Sequence, residues 1–357
     1  MKIKDLCSYA PKSRIKAGEA VENAKYLFFT SSADENKRYT DFQFDKEAII
    51  MGTGGNATLH YYNGKFSVST DCLVLFPNSK IQCKYLYYFF KSHMSVLEAG
   101  FKGAGLKHTN KKYIEEINVS KVPDLSTQEK IVSHLDTITE NIEKLNRELE
   151  LFDSLTKARF IEMFGTLDDP ADEFEKATLK KLCNKITDGK HGGCTSEEGT
   201  QRYFVGAREI YDDEVHYDTA PEINVEEFEK DYKRCNIEIG DFLIVNTGAT
   251  IGKSAIASDE RTEHTLLQKS VALLKIKKDK LNPVFLKWCY RVNTRMYMVQ
   301  SASAQPNLLL SKINGTVIYV PSIERQNQFA DFVQQVDKSR FDIKKSITEL
   351  EREVVYD

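Results

Sequence analysis

The stretch that decides the fold begins VPDLSTQE at residues 122–129 and runs to Gly165. In it, Ser126 followed three residues later by Glu129 matches a capping box, which predicts that a helix begins at Ser126. Behind this cap, apolar residues recur at intervals of four and three, the spacing of a coiled-coil seam. Gly165 is the predicted stop of a helix about 55 Å long. The seam positions are Ile131, Leu135, Ile138, Ile142, Leu145, Leu149 and Phe152.

A second copy of this stretch lies 198 residues further along the chain, where VPSI at 320–323 matches VPDL and Gln326 falls on Gln128. Any two heptad helices look alike, but that alternative does not account for the shared Val-Pro entry and glutamine. Only Arg340, opposite Ile142, breaks the second seam. The sequence therefore predicts two long helices that pair antiparallel. The second seam comprises Phe329, Val333, Val336, Ile343, Ile347 and Leu350.

The duplication extends into the segments before each helix. IKDLC at 3–7 matches LKKLC at 179–183, and IQCKYLYYFF at 81–90 matches LNPVFLKWCY at 281–290. Asn282 followed by Pro283 predicts the start of a helix. The predicted class is α+β: two similar strand-rich domains, 1–122 and 166–320, alternating with helices at 123–165 and 321–357. Strands are expected at 48–51, 66–69, 73–76, 242–245 and 271–274.

Two segments of the second half are predicted to be peripheral. Residues 166–175 (TLDDPADEFE) are acidic and contain proline, as is typical of a linker. The second domain carries extra residues, placed within 209–236, and Glu209 to Asp231 holds ten acids and a single lysine. Such a charge run is usually a solvated face.

The composition describes an ordinary globular chain of 357 residues, 41% hydrophobic, with a formal net charge of -3. Seven cysteines without a C-x-x-C pair argue against a zinc ribbon and a secreted disulfide framework. No apolar run is long enough for a membrane span, and the first residues do not resemble a signal peptide. We expect a cytoplasmic protein without a membrane partner or a metal site.

Two stretches imitate catalytic motifs. GATIGKS at 248–254 resembles a P-loop, but three residues rather than four separate its glycines. Asp188-Gly189-Lys190 resembles half of a nuclease carboxylate–lysine pair, but no second acid on a strand accompanies it. No catalytic centre is predicted.

Two loops at corresponding places carry chemistry suited to DNA. FKGAGLKHTNKK at 101–112 and residues 294–312 contain basic and amide side chains and no acid, so they could neutralise phosphates and read base edges. The alternative is a solvated basic loop. Turns after a matched strand, at 53–56 and 246–253, form a second set. The predicted DNA-binding residues are Thr53, Asn56, Lys107, His108, Thr109, Asn110, Lys111, Lys112, Lys190, Arg208, Asn246, Thr247, Lys253, Arg295, Gln305 and Asn307.

These features resemble the DNA-specificity subunit of Type I restriction-modification systems. The most specific segments are GDFL at 240–243 with TGATIGK at 247–253, QPNL at 305–308, and FIEMFG at 160–165. The first domain departs from this pattern, with MGTGGN at 51–56 and KHTN at 107–110 where the second has QPNL. Domains that read different sequences are expected to differ there.

The resemblance implies two target-recognition domains that bind a bipartite, asymmetric site on double-stranded DNA. It also implies that the helices act as a spacer and dock two methyltransferase subunits, and that restriction/translocase subunits join the complex. S-adenosylmethionine and ATP would then belong to these partners, and the chain itself would hold no cofactor and catalyse nothing. Two alternatives stay open: a coiled-coil scaffold without DNA specificity, and a stand-alone nuclease or nucleotide hydrolase.

Overall fold

The computed structural model describes residues 1–296 and 307–356. Two compact units divide the chain: Met1–Arg147 with Ile343–Asp357, called unit 1, and Glu148–Asp342, called unit 2. Each long helix contributes one part to each unit.

Unit 1 is built on a six-stranded sheet. Apolar side chains alternate between its two faces, because Ile49 and Met51 pack in one cluster with Leu86 and Phe90 while Ile50 packs in another on the opposite face. Both faces are therefore covered. The strands are β1 Cys7–Tyr9, β2 Tyr26–Phe29, β3 Arg38–Tyr39, β4 Phe44–Gly52, β5 Leu59–Val68 and β6 Cys72–Pro77, in the order β1-β6-β4-β5-β2-β3. The helices are α1 Ile3–Leu6, α2 Cys83–Ser92, α3 Met94–Glu98, α4 Lys111–Glu116 and the first part of α5 Leu125–Phe164.

Unit 2 has a four-stranded sheet of order β13-β12-β15-β8 and three further two-stranded pairs among its described residues. The strands are β7 Glu175–Thr178, β8 Cys183–Asp188, β9 Tyr203–Val205, β10 Ile210–Tyr211, β11 Glu214–Val215, β12 Phe242–Val245, β13 Ser254–Ile256, β14 Thr265–Leu267, β15 Val271–Ile276 and β16 Val317–Val320. The helices are α6 Leu179–Leu182, α7 Val225–Tyr232, α8 Pro283–Val292, α9 Leu310–Gly315 and α10 Ile323–Tyr356, which ends in unit 1.

The topology of the two units confirms the predicted internal repeat. The order β1-β6-β4-β5 in unit 1 corresponds to β8-β15-β12-β13 in unit 2, and a parallel strand follows in each unit, β2 beside β5 and β9 beside β14. Helices α1, α2 and α4 correspond to α6, α8 and α9. All five predicted strands are present, and Asn282 caps α8 by accepting the amide N–H of Val284 at 2.8 Å. The α+β class is confirmed.

The start of α5 differs from the prediction. The helix begins at Leu125, and Asp124 rather than Ser126 caps it. Asp124 Oδ1 accepts the amide N–H of Thr127 at 2.9 Å and its Oδ2 accepts the Thr127 hydroxyl at 3.1 Å, and these bonds lower the pKa of Asp124. A carboxylate is the stronger cap because it also faces the positive end of the helix dipole.

The end of α5 is as predicted. Gly165 has φ +69°, and a Cβ there would lie 2.2 Å from the carbonyl oxygen of Asp169. Only glycine fits this left-handed, crowded position.

In unit 2, α5 and α10 run antiparallel. Phe160 and Phe164 contact Phe329 near the start of α10, whereas Asp153 accepts a hydrogen bond at 2.6 Å from Arg340, further along α10. Arg340, the one charged residue in the apolar seam of α10, is therefore paired with a carboxylate of α5. Of the predicted seam residues, Leu135, Ile138, Phe329, Val333, Val336 and Ile347 are buried, and Ile131, Ile142, Leu145, Leu149, Phe152, Ile343 and Leu350 are half-buried.

Both peripheral segments are more integrated than predicted. In the linker, Leu167 donates its amide N–H to Asn293 at 2.8 Å, and β7 pairs with β16 from Glu175 onward. In the acidic insertion, Phe228 is 6% exposed and belongs to an apolar cluster. The acids of this run are mostly exposed or half-buried, as predicted, while the apolar residues on the other side of α7 pack inward.

A buried glutamine joins each long helix to the domain before it. Gln326 is fully buried; its Oε1 accepts the amide N–H of Asn282 at 2.9 Å, and its Nε2 donates to the carbonyls of Lys280 at 3.0 Å and Pro321 at 2.8 Å. Gln128, also fully buried, makes the same three bonds in unit 1, to Gln82, Lys80 and Pro123.

We expect Gln326→Leu to lower the free energy of unfolding by at least about 1–3 kcal/mol, since leucine fills the space but leaves buried polar groups unpaired. Urea unfolding followed by circular dichroism measures this. Gln334→Leu, at an exposed position of the same helix, is the matched control. Equal stability of the two variants would contradict a structural role for the glutamine.

Candidate nucleic-acid interface

In unit 1, the turn after β4 and the basic loop lie against each other. Thr53 donates its amide N–H to the carbonyl of Asp71 at 2.8 Å, and its own carbonyl accepts the amide N–H of Thr109 at 3.0 Å. The amide N–H of Gly55 bonds the Lys107 carbonyl at 2.9 Å. The two sets of residues predicted separately from the sequence thus form one surface.

Unit 2 repeats these backbone bonds. The amide N–H of Asn246 donates to the Ser270 carbonyl at 3.0 Å, and the Asn246 carbonyl accepts the amide N–H of Leu308 at 2.7 Å. Beside it, Thr247 and Asn307 form an isolated β-bridge, as Gly54 and His108 do in unit 1.

These bonds correct the comparison of the two loops. The sequence sets Asn307 opposite Thr109, whereas the backbone pairing makes Asn307 the counterpart of His108. Leu308 and Thr109, both buried, are then counterparts. An exposed side chain of different chemistry therefore occupies the same backbone position in each unit.

The predicted residues of the unit 1 surface fall into two groups. Asn56, Lys107, His108 and Lys112 are exposed, and their side chains make no hydrogen bond or ion pair within the described part of the chain. The others are engaged within the unit: the Thr53 hydroxyl bonds the Asp71 carbonyl at 3.0 Å, Asn110 caps α4 through the amide N–H of Tyr113 at 3.1 Å, Lys111 lies over the Tyr9 ring and 3.5 Å from Glu115, and Thr109 is buried.

In unit 2, Thr247 and Asn307 line a cleft together with Lys269, His191 and Asp188. Asn307 is exposed and lies within hydrogen-bonding distance of the Thr247 hydroxyl, at 3.5 Å. Asn246 also lines the cleft but is only 4% exposed. Lys253 and Arg208 are exposed in unit 2 but do not line the cleft, and Gln305 lies outside the described residues.

Sequence reasoning missed Lys269 and His191. Lys269 is exposed in the loop between β14 and β15, which holds Asn246 in place. No local motif marks it, because the strand pairing alone brings it to the cleft.

Asp188 is the one acid among the described residues that line the cleft. Partial burial acts to raise its pKa, but hydrogen bonds from Arg234 and from His191 at 3.2 Å outweigh this and lower the pKa. Its charge is thus balanced by the neighbouring Arg234 guanidinium.

Two predicted cations are already paired. Lys190 Nζ lies 2.8 Å from Asp231 and 3.4 Å from Glu227, and the bond to Asp231 raises the pKa of Lys190. Arg295 pairs with Asp168. The structure does not bring either into the cleft lining.

The P-loop-like segment is part of a β-hairpin. Gly252 donates its amide N–H to the Val245 carbonyl at 3.0 Å, and Val245 donates to Lys253 at 2.8 Å, so the segment joins β12 to β13, whereas a P-loop joins a strand to a helix. Within residues 1–296 and 307–356, no group of three metal-ligating side chains occurs and no helix is long and apolar enough to cross a membrane.

The chain matches the family model of the Type I restriction modification DNA specificity domain over residues 1–151 and 171–352. The chain belongs to this family. The match accounts for both halves of the internal repeat.

This chain is similar to curated relatives that it covers to different extents. The MjaVIII specificity subunit of Methanocaldococcus jannaschii is 22% identical over 317 residues, covering 82% of this chain and 72% of the relative. The EcoDI specificity subunit of Escherichia coli is 25% identical over 144 residues, 40% of this chain and 32% of that relative. The chain thus spans about a third of the length of the Escherichia coli protein.

The crystal structure of the Type I restriction-modification S subunit from M. genitalium aligns with a TM-score of 0.62 at 17% identity, covering 99% of this chain and 93% of that one. A chain from a structure of complex assembly and conformational transition in the Type I system aligns with a TM-score of 0.59 at 15% identity, covering 99% and 95%. These likenesses show the S-subunit fold.

We expect Lys190→Met to lower the free energy of unfolding by about 1–3 kcal/mol, because Glu227 and Asp231 lose the cation that both contact. Thermal unfolding measures the loss. Lys230→Met, at an exposed position of α7, is the matched control. A Lys190→Met protein of unchanged stability would show that the ion pairs contribute nothing.

Proposed function

We propose that the chain is the DNA-recognition subunit of a Type I restriction-modification complex and that it binds a bipartite, asymmetric site on double-stranded DNA. The observation that carries this is the repeated surface made of the turn after β4 or β12 and the loop hydrogen-bonded to it. A protein with two copies of one surface and different side chains on each is suited to reading two different half-sites.

In the proposal, positive side chains position the duplex and neutral ones read it. Lys107 and Lys112 in unit 1, and Lys253 and Lys269 in unit 2, are exposed and would contact phosphates. His108 and Asn307 would contact base edges, since both carry hydrogen-bonding groups at the same outward-facing backbone position. Gln305, beside Asn307 in sequence, remains a candidate on sequence grounds. The engaged residues Thr53, Thr109, Asn110, Asn246 and Lys190 would shape the surface.

We propose further that residues 1–122 and 166–320 are the two recognition domains, and that helices 123–165 and 321–357 form the spacer. Two methyltransferase subunits would dock on the helices, and restriction/translocase subunits would join them. Leu151, Leu155 and Phe341 support a docking role, since these large apolar side chains are 65%, 49% and 68% exposed on the helical part of unit 2. S-adenosylmethionine and ATP would be bound by the partners.

Two other functions lead to different measurements. A coiled-coil scaffold without DNA specificity would use the helices alone, and titration of the purified chain with labelled duplexes at moderate salt would detect no binding. A nuclease or nucleotide hydrolase would show turnover by the purified chain without partners.

The first prediction of the proposal concerns salt. Each lysine that neutralises a phosphate releases a condensed counterion, so Lys107→Ala with Lys112→Ala should flatten the slope of log affinity against log salt by about one to two units. Fluorescence anisotropy with a duplex at several salt concentrations measures the slope.

The control for this test is Lys130→Ala with Lys144→Ala, which removes two exposed lysines from α5. The control should keep the slope of the unmodified chain. If both double variants change the slope equally, the basic loop is not a specific part of the interface.

The second prediction concerns modular readout. Asn307→Ala should relax one half of the methylated sequence, because a good bidentate contact to a base is worth about 1–3 kcal/mol against the wrong base. His108→Ala should relax the other half. Mapping methylated positions in DNA from cells that carry the chain and its methyltransferase decides this.

Each variant is the control for the other, since both sit at the same backbone position of the repeat. Asn327→Ala, which removes an exposed amide of α10 outside the surface, should leave both halves unchanged. Relaxation of both halves by either single substitution, with the protein still folded, would rule out modular readout.

A further inference from the structure

The acidic insertion of unit 2 contains a hairpin whose turn reaches helix α8. Strands β10 and β11 are joined by Asp212 and Asp213, with φ +49° and +65°. Two consecutive left-handed residues make the tight turn that matches strand twist, a conformation that is unfavourable for side chains other than glycine, asparagine and aspartate. The Asp213 carboxylate lies 2.7 Å from Arg291 and 3.4 Å from Lys287, one turn apart on α8.

The ion pairs continue from α8 to both long helices. A second nitrogen of Arg291 lies 3.8 Å from Asp153 Oδ1 of α5, and the same oxygen accepts a hydrogen bond at 2.6 Å from Arg340 of α10. Arg291 also lies over the ring of Trp288 at 4.4 Å. One network of half-buried charges thus connects the insertion hairpin, α8, α5 and α10, all within unit 2.

Unit 1 holds its helix to the domain in a different way. Asp136 of α5 accepts a hydrogen bond from the Tyr88 hydroxyl at 2.6 Å and pairs with Lys84 at 2.7 Å, both from α2. At the matching positions of unit 2, Gln334 replaces Asp136 and Trp288 replaces Tyr88. Among the described residues, no side-chain hydrogen bond joins Gln334 to Trp288, and the charge network of the hairpin connects α8 to the long helices instead.

We propose that Asp213 is a positioning residue that fixes the second recognition domain on the helices and so helps to set the number of base pairs between the two half-sites. The inference rests on the proposed function. The two helices continue into unit 1, so the angle of the domain on them affects where its half-site must lie. One base pair is about 3.4 Å along the duplex, so a small change in this angle is enough to admit a different spacer.

The test uses the complete chain and duplexes with the two half-sites found by methylation mapping of the unmodified system, separated by its natural spacer or by one base pair more or fewer. The unmodified chain should prefer the natural spacer. In Asp213→Asn, this preference should fall by about two- to fivefold, the range expected for a partly exposed ion pair, while the bases required in each half-site stay the same.

Three further variants complete the design. Asp212→Asn changes the neighbouring exposed carboxylate of the same turn, which forms no ion pair with any residue that the structure describes, and should keep the spacer preference. Asp213→Glu keeps the charge at a left-handed position that disfavours glutamate, so it should restore the preference only in part. Lys287→Gln removes one of the two cations that contact Asp213 and should weaken the spacer preference as Asp213→Asn does. It therefore replaces Asp213→Asn in the test if that variant does not fold.

The outcomes separate the inference from the function on which it rests. An unchanged spacer preference in folded Asp213→Asn, or in Lys287→Gln, would overturn the positioning role. Altered half-site bases would also overturn it, since they would place Asp213 in the readout. A lack of any spacer preference in the unmodified chain would instead overturn the bipartite function.

Discussion

The structure depends on the buried amide of one glutamine in each half of the chain. A single side chain bonds the amide N–H at the start of α2 or α8 and two carbonyls, one of them from the Val-Pro segment that enters the long helix. Because the glutamine is buried, a broken hydrogen bond would leave polar groups without a partner and without water. The arrangement that keeps all three bonds is therefore strongly favoured. Because the same bonds occur twice, the entry of each long helix is fixed relative to its own domain in the same way.

Much of this fold was predictable because the sequence patterns that specify its helices involve residues close together in the chain. Heptad spacing, the Asn-Pro cap of α8 and the glycine at the end of α5 depend on neighbours within one or two turns. The cap of α5 was mispredicted because two polar residues close together, Asp124 and Ser126, both match a capping pattern, and their difference in charge decides between them.

The site was less predictable because its geometry depends on pairing between distant segments. The sequence indicated both the turns and the loops but not their mutual hydrogen bonds, which place His108 rather than Thr109 opposite Asn307. It also could not show that Lys190 is paired with acids 37 and 41 residues away, or that Lys269 lies in the cleft. Composition gives the number of charges, whereas the fold decides which of them are already paired.

That distinction explains how a chain with net charge -3 can still present a basic surface. Acids of the insertion pair with Lys190, Lys287 and Arg291 inside unit 2, so part of the negative charge is balanced by cations that are themselves unavailable to a ligand. Within the described residues, Lys107, Lys112, Lys253 and Lys269 make no such ion pair, and at physiological salt a charge is felt over only about 8 Å. A duplex would therefore respond to the local surface more than to the net charge. The backbone of that surface is the same in both units, but its outward side chain is histidine in one unit and asparagine in the other. This difference alters the chemistry offered to a ligand without altering the hydrogen bonds that hold the surface in place.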